Sequence, residues 1–257
     1  MDDPGERAEL EAFRDFYALP ERQGGGRVHE VAGAVCGTVD GLRDVLMVNR
    51  VLGLGLARPT THDDLDEIEA FFRDADTRFY VSVRPSEGLA DLLEERGYEP
   101  GYAWAVFRRG VEPYSAETQL RVEEIGTEEA GEFGSVVAEA YGMPSSVTDA
   151  ISAAVGRPGW HCFVTYDGDD PAGAAALFAH DRAAWLGFAG TRPEHRRKGS
   201  QGALFAARIG KAAELGVEVL ATETGALDPE RPGNSYRNIT RVGFEERYVR
   251  PNYTLSQ

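Results

Sequence analysis

The segment TRPEHRRKGSQGAL, Thr191 to Leu204, decides how this chain is read. An apolar stretch with strand character, Ala183–Gly190, runs into it, and a helical pattern runs out of it. The first turn of a helix carries N–H groups without intrahelical acceptors and a partial positive end. Those donors suit a phosphate group. Gly199 permits a backbone conformation that a side chain hinders, and it lets an anion approach closely. Arg192, His195, Arg196, Arg197 and Lys198 add local positive charge. In a chain of net charge -16 such a cluster points to an anionic ligand. The competing reading is a solvated basic loop ahead of a helix. The spacing is not GxxxxGK[ST], and Gly199 with Gly202 gives GxxG rather than the GxGxxG of a dinucleotide fold.

Outward from this turn the second half is regular. Thr118–Ile125 alternates as a strand. Glu128–Tyr141 suits a helix, and a second helical stretch runs from about Ser146 to Val155. Strands are expected at Trp160–Tyr166, Ala172–His180 and Ala183–Gly190, the first two joined by the turn DGDDP, Asp167–Pro171. From Ser200 to Leu215, Phe205, Ile209 and Ala212 fall on one face beside Leu204, and Gly216 ends the helix. Val217–Thr224 reads as a strand, Ser235–Arg241 as a short helix closed by Gly243, and Phe244–Tyr253 as a last strand.

GVEPYSAE, Gly110–Glu117, has the composition of a linker. It divides the chain into residues 1–112 and 118–257. In the first part Asp44–Gly55 is strand-like, Asp63–Arg73 helical, Phe79–Val83 a strand, Gly88–Arg96 a helix and Tyr102–Phe107 a strand. LLEERGYEPGYAWAVFRR and NITRVGFEERYVRPNY close the two parts in the same way: a helix stopped by glycine, an aromatic, then a strand. This suggests two related domains.

The 257 residues are 42% apolar, enough for a real core. The acidic balance argues against nucleic acid as a main partner, because phosphate backbones need a basic face. It favours cationic acceptors weakly. The only lysines are Lys198 and Lys211. Cys36 and Cys162 have no metal-like spacing, so neither a metal site nor a disulfide framework is expected. The polar start MDDPGERAEL is no signal peptide, and no apolar run reaches membrane-spanning length. A soluble, cytoplasmic protein is the expectation.

The turn resembles the pyrophosphate-binding motif R/Q-x-x-G-x-G/A of the GNAT (Gcn5-related N-acetyltransferase) superfamily, with Arg196, Lys198 and Gly199 matching and Pro193 in its usual place. Gln201 stands where a second Gly or Ala is common. The resemblance covers Thr118 to Gln257; the first half shares only the order of elements. At its corresponding turn, LARPTTHDDL, there is no glycine and there are two aspartates, as in a degenerate copy that does not bind pyrophosphate. The implied fold is α+β or α/β, with a mixed, mostly antiparallel central sheet flanked by helices. The implied activity is transfer of an acetyl group from acetyl-CoA to a small amine, with no metal.

By the same resemblance the backbone N–H groups of Arg197, Lys198, Gly199, Ser200, Gln201 and Gly202 hold the pyrophosphate. Phe188, Ala189, Gly190 and Thr191 pair with the pantetheine arm and bind the acetyl carbonyl. Ser235 is the small residue facing the cofactor, and Asn238 reaches the pantetheine. The tyrosine common four residues after that small residue is replaced by Ile239, so the acid role passes to Tyr236, Tyr248 or another group. Tyr248 and Glu223 are the catalytic candidates. Glu223, at the end of Val217–Thr224, is the expected base; its other reading is a substrate-binding or solvated carboxylate. His180 and His195 are weaker candidates, and Cys162 reads as a small core residue. The competing function is a non-catalytic acyl-CoA-binding or sensor protein on the same fold.

Overall fold

A computed structural model describes residues 3–19, 25–85, 88–226 and 233–255. In the first half the elements are α1 (Pro4–Tyr17), β1 (Gly26–Val31), β2 (Ala34–Val39), β3 (Arg50–Leu52), α2 (His62–Asp74), β4 (Tyr80–Ser82), α3 (Leu89–Glu95) and β5 (Tyr98–Arg109). The second half adds β6 (Arg121–Glu124), α4 (Ala130–Tyr141), α5 (Thr148–Ser152), β7 (Trp160–Asp167), β8 (Asp170–His180) and β9 (Ala183–Thr191). It ends with α6 (Ser200–Glu214), β10 (Val219–Gly225), α7 (Asn234–Arg241) and β11 (Glu245–Leu255).

The chain forms two compact units. The C-terminal unit holds Met1–Ala12, Phe107–Glu223 and Arg237–Glu245; the N-terminal unit holds Phe13–Val106, Thr224–Tyr236 and Glu246–Gln257. Each is a mixed sheet, antiparallel for the most part, flanked by helices.

In the N-terminal unit the strands run β1-β2-β3-β4-β11-β5. Here β3 and β4 are parallel, with Arg50 opposite Tyr80 and Val51 opposite Val81, and α2 joins them. Thr61 caps α2 through a reciprocal box with Asp64, which satisfies N–H groups at its start. Leu65, Ile68 and Phe72 recur on one helical face and pack with Leu89 and Leu93 of α3 against Val51, Val81 and Tyr253. The aromatic ring of Tyr17 lies flush on β2: a Cβ on Gly37 would stand 1.9 Å from its Cδ2, so only glycine fits there.

In the C-terminal unit the order is β10-β9-β8-β7-β6. Here β9 and β10 are parallel and joined by α6, repeating the β3–α2–β4 arrangement. The helix α4 lies so close to one face of this sheet that a Cβ on Gly190 would meet that of Ala140 at 2.3 Å. The other face meets α6, which buries Leu204, Phe205, Ile209 and Ala212. At roughly 1.5–3 kcal/mol for each large apolar side chain, this stripe is what anchors the helix.

Every helix and strand expected between Thr118 and Tyr253 is found, with ends shifted by a few residues. The run Asp44–Gly55 differs: a short 3₁₀ turn, Leu46–Val48, precedes a strand of only three residues, Arg50–Leu52. The buried Asn49 explains the break, because its amide donates to the carbonyl of Leu42 at 2.6 Å and folds the chain back. Among the described residues no helix is long and apolar enough to cross a membrane, and no cluster of His, Cys, Asp and Glu could hold a metal ion.

Candidate active site

The site is built where β9 gives way to α6. From Ala183 to Leu186 β9 pairs with β10, Leu186 lying opposite Thr222. The Thr222 hydroxyl donates to the Leu186 carbonyl at 2.8 Å. Beyond that pair no register between β9 and β10 continues, so Gly187–Thr191 and Glu223 lie past the last bond of the parallel ladder. On its other side β9 pairs with β8, but the register slips: Ala174 faces Gly190 and Ala176 faces Gly187. Two residues of β9, Phe188 and Ala189, thus oppose Ala175 alone, which is a bulge.

Phe188 sits at that bulge with φ +48°, a conformation costly for a bulky residue. Its ring is fixed by aromatic packing, stacked on Trp160 at 5.7 Å and edge-on to Trp185 at 5.4 Å. Ala189 packs instead with Phe163, Ala175 and Leu204, on the α6 face.

The turn after β9 leads into a helix with no side-chain cap. Gly199 is its N-cap residue, at φ +88°. Ala203 closes the first intrahelical bond, onto the Gly199 carbonyl at 3.1 Å. The N–H groups of Ser200, Gln201 and Gly202 therefore precede the ladder, as an anion site requires. Of the two roles expected for Gly199, the conformational one is met. The space left by its absent side chain, however, faces the chain itself: a Cβ would stand 2.8 Å from the Glu117 carbonyl oxygen. Gly202 similarly faces Ala116, at 3.0 Å, and the Thr118 hydroxyl donates to the Lys198 carbonyl at 2.8 Å.

Ser200 is buried. Its hydroxyl lies 2.8 Å from that of Thr165 and accepts from that of Thr191 at 3.2 Å. This fastens the helix start to both β7 and β9. Sequence reading assigned Ser200 to phosphate through its backbone and had no signal for the side chain's role.

The basic cluster is less positive than its composition. Lys198 and His195 share the Asp167 carboxylate, His195 at 3.1 Å, and Lys198 first and His195 second hold that carboxyl below its usual range. Arg192 pairs with Glu139 at 2.8 Å. Among the described residues Arg196 reaches only the Thr191 carbonyl, at 3.5 Å. Arg197, exposed and at φ +65°, makes no ion pair among the described residues.

Glu223 is half-buried on β10, next to Thr222. In α7, Asn238 is half-buried and its side-chain oxygen accepts from Arg241 at 3.2 Å. Ser235 and Tyr248 fall in the N-terminal unit. Tyr248 lies beneath Arg84, whose guanidinium carbon is 5.5 Å from the ring centre, and its hydroxyl is shielded from solvent without a hydrogen-bond partner among the described residues. Ile239 is a buried core residue. Cys162 is also buried, and burial first, then the charge of Glu124, pushes its thiol up to about 12, which makes it inert as a nucleophile.

The corresponding start of α2 is filled from within. Asp64 accepts from the Thr61 N–H at 2.8 Å and takes both ends of the Arg58 guanidinium, at 2.6 and 2.8 Å. A carboxylate of the chain occupies the position that an anion would take.

No family model matches this chain, and no curated protein is significantly similar to it. Solved structures are. A GCN5-related N-acetyltransferase from Kribbella flavida aligns at 18% identity and TM-score 0.63, covering 98% of this chain and 94% of that one. One from Sphaerobacter thermophilus gives 18% and 0.63, over 98% and 91%. A tandem GNAT protein from the clavulanic acid biosynthesis pathway gives 16% and 0.60, over 98% and 94%. The whole chain therefore has the fold of the GCN5-related N-acetyltransferases.

Proposed function

We propose that the protein is an acetyl-CoA-dependent N-acetyltransferase acting on a small amine, with one cofactor site, in the C-terminal unit. The observation that carries this reading is the uncapped start of α6 beside a bulged strand whose pairing with β10 ends at Leu186. Such a helix start offers N–H donors to a pyrophosphate, and the stretch Gly187–Thr191, paired with β8 but not with β10, offers backbone groups on its free side to a pantetheine arm. Arg197 adds a cation at the turn. Acetyl-CoA supplies an acyl carbon already activated as a thioester. The residues of the chain orient it, keep water from it and manage protons. Glu223 takes one proton from the acceptor's ammonium, so that a neutral nitrogen forms the new C–N bond as the C–S bond breaks; the second proton shed by that nitrogen balances the one the departing thiolate takes up. The donor to the departing thiolate is, by the resemblance alone, Tyr236, Tyr248 or another group. The limits 1–112 and 118–257, proposed as the two related halves of the sequence, differ from the compact units, in which Met1–Ala12, Thr224–Tyr236 and Glu246–Gln257 each belong with the other half. The cytoplasmic setting is part of the same proposal, and two buried, unpaired cysteines favour a reducing compartment.

One observation favours a second reading, a non-catalytic acyl-CoA-binding or sensor protein: buried Ile239 stands where the resemblance puts a tyrosine. Titration of the full chain with acetyl-CoA, followed by thiol-release assays over a panel of amines, separates the two. The enzyme reading expects one binding event per chain and thiol release with at least one amine. Binding without turnover across amino acids, polyamines, aminoglycosides and peptides would support the sensor. Two equivalent sites would overturn the single-site assignment.

A further inference from the structure

Arg208 is the largest fully buried side chain among the described residues, 1% exposed, and it lies in the middle of the apolar stripe of α6. A guanidinium placed there is expensive unless it is paired. Arg208 forms no ion pair with any carboxylate among the described residues; the one titratable group whose charge acts on it is the Tyr141 phenol. Its contacts are instead two carbonyls and a ring. Nε donates to Leu204 at 3.0 Å, Nη1 donates to Ala176 at 3.3 Å, and the guanidinium carbon stands 4.7 Å from the centre of the Phe205 ring. Burial draws its pKa below the ordinary value for an arginine, yet the group stays protonated at neutral pH.

The position of these carbonyls gives the arrangement a purpose. Ala176 is the residue at which the β8–β9 register resumes after the bulge, opposite Gly187. Leu204 lies in the second turn of α6 and packs on Ala175 and Ala189, the residues of the slip itself. Arg208 thus ties the helix that begins at the phosphate turn to the strand that sets the bulge. From the opposite side the bulge is held by Phe188 against Trp160 and Trp185. A methionine or leucine at 208 would extend the apolar stripe without the desolvation cost, so stability alone does not account for an arginine.

We propose that Arg208 is a positioning residue that fixes the spacing between the α6 turn and the bulged segment Gly187–Thr191. The inference rests on the reading of these two elements as the ends of one acetyl-CoA site, but the arrangement it describes can be tested without the ligand.

The test uses the full chain as wild type, Arg208→Met and Arg208→Lys, with three measurements: acetyl-CoA affinity by calorimetry, the melting temperature without ligand, and amide exchange over residues 174–178 and 186–191. Arg208→Met should melt no earlier than wild type, because an unpaired buried cation has been removed. It should nevertheless exchange faster in those two segments and bind acetyl-CoA at least about tenfold more weakly, the scale on which misplaced groups register. Arg208→Lys, with charge but no two-way fork, should recover only part of the affinity. Unchanged local exchange in Arg208→Met overturns the proposal. So does faster exchange spread over the whole unit with an earlier melt, the mark of a structural role alone. If Arg208→Met does not fold, Arg208→Lys decides: wild-type exchange and affinity overturn the proposal, and local loosening with weaker binding supports it. If the wild type binds no acetyl-CoA, the functional reading fails, and the exchange measurement alone decides the role of Arg208.

Discussion

The hydroxyl of Ser200 lies 2.8 Å from that of Thr165, inside the C-terminal unit and away from water. One helix start is thereby tied to the strand across the sheet. Removing either partner leaves the other's hydroxyl buried without that bond. Ser200→Ala and Thr165→Val should each lower stability by about 1–3 kcal/mol. Because they share one interaction, the double variant should lose less than the sum. Urea denaturation checks both, and additive losses would show that the contact is not energetically coupled.

Arg197 separates binding from stability. Its left-handed backbone costs roughly 1–2 kcal/mol relative to a residue that accepts it. Arg197→Gly should therefore hold or raise the melting temperature of the free protein. It should also reduce the stabilisation by acetyl-CoA, which at a hundredfold excess over Kd is about 2.7 kcal/mol for an intact site. A thermal shift by acetyl-CoA that matches the wild type would remove Arg197 from the site. Gly199→Glu also abolishes that shift on this reading, but its side chain would meet the Glu117 carbonyl as well. Arg197→Gly is thus the cleaner probe.

Glu223→Gln tests proton removal. It keeps the shape of the side chain and removes its basicity, so acetyl-CoA affinity should stay within error. The value of kcat should fall by about 10²–10⁴, most of all below the pKa of the amine, where the acceptor arrives protonated. If only the acceptor KM rises, Glu223 binds substrate and another group takes the proton.

Asp64 gives a pH signature. Hydrogen bonds from Arg58 first, then from the Thr61 N–H and hydroxyl, outweigh partial burial and hold its carboxyl well below the usual range. A carboxyl with a lower pKa folded than unfolded stabilises the protein above its unfolded value of about 4. That contribution fades as the pH falls from there through the folded value. Unfolding midpoints measured between about pH 6 and pH 2 should therefore drop less steeply for Asp64→Asn than for wild type. At neutral pH, Thr61→Ala should cost about 1 kcal/mol through loss of the cap. Parallel acid limbs for Asp64→Asn and wild type would show that the carboxyl is not specially held.

The features legible in the sequence are those that repeat. The stripe Phe205, Ile209 and Ala212, the DGDDP turn and the strand-to-helix step at Gly199 each follow a period or a turn chemistry that survives without tertiary context. Of the elements left unread, β2 lacks that regularity, since every residue of it is buried and it shows no alternation; α1 does carry a legible helical stripe, Ala8, Ala12, Phe13, Phe16 and Tyr17. The site is legible as an address more than as a mechanism. Nothing in the letters Gly187-Phe188-Ala189 announces a bulge, since phenylalanine at positive φ contradicts local preference and is held there by Trp160 and Trp185. Arg208 is hidden for a related reason. It stands four residues after Leu204 and three after Phe205, on the face where a solvated cation is not expected, and only the fold supplies the carbonyls that accept from it.

The start of α2 and the start of α6 are the same architectural place used in two incompatible ways. At α2 the chain completes its own helix with Asp64, and the reward is rigidity. At α6 no side chain caps the opening, and Ser200, Thr165 and Thr191 hold its frame from behind. A mutation that cleared Asp64 away would lose stability before it gained any ligand, whereas an aspartate introduced at the α6 opening could close the site and strengthen the helix in one step. Closing such an opening is a downhill change and reopening it an uphill one, so a doubled fold of this kind drifts more readily toward one working pocket than toward two.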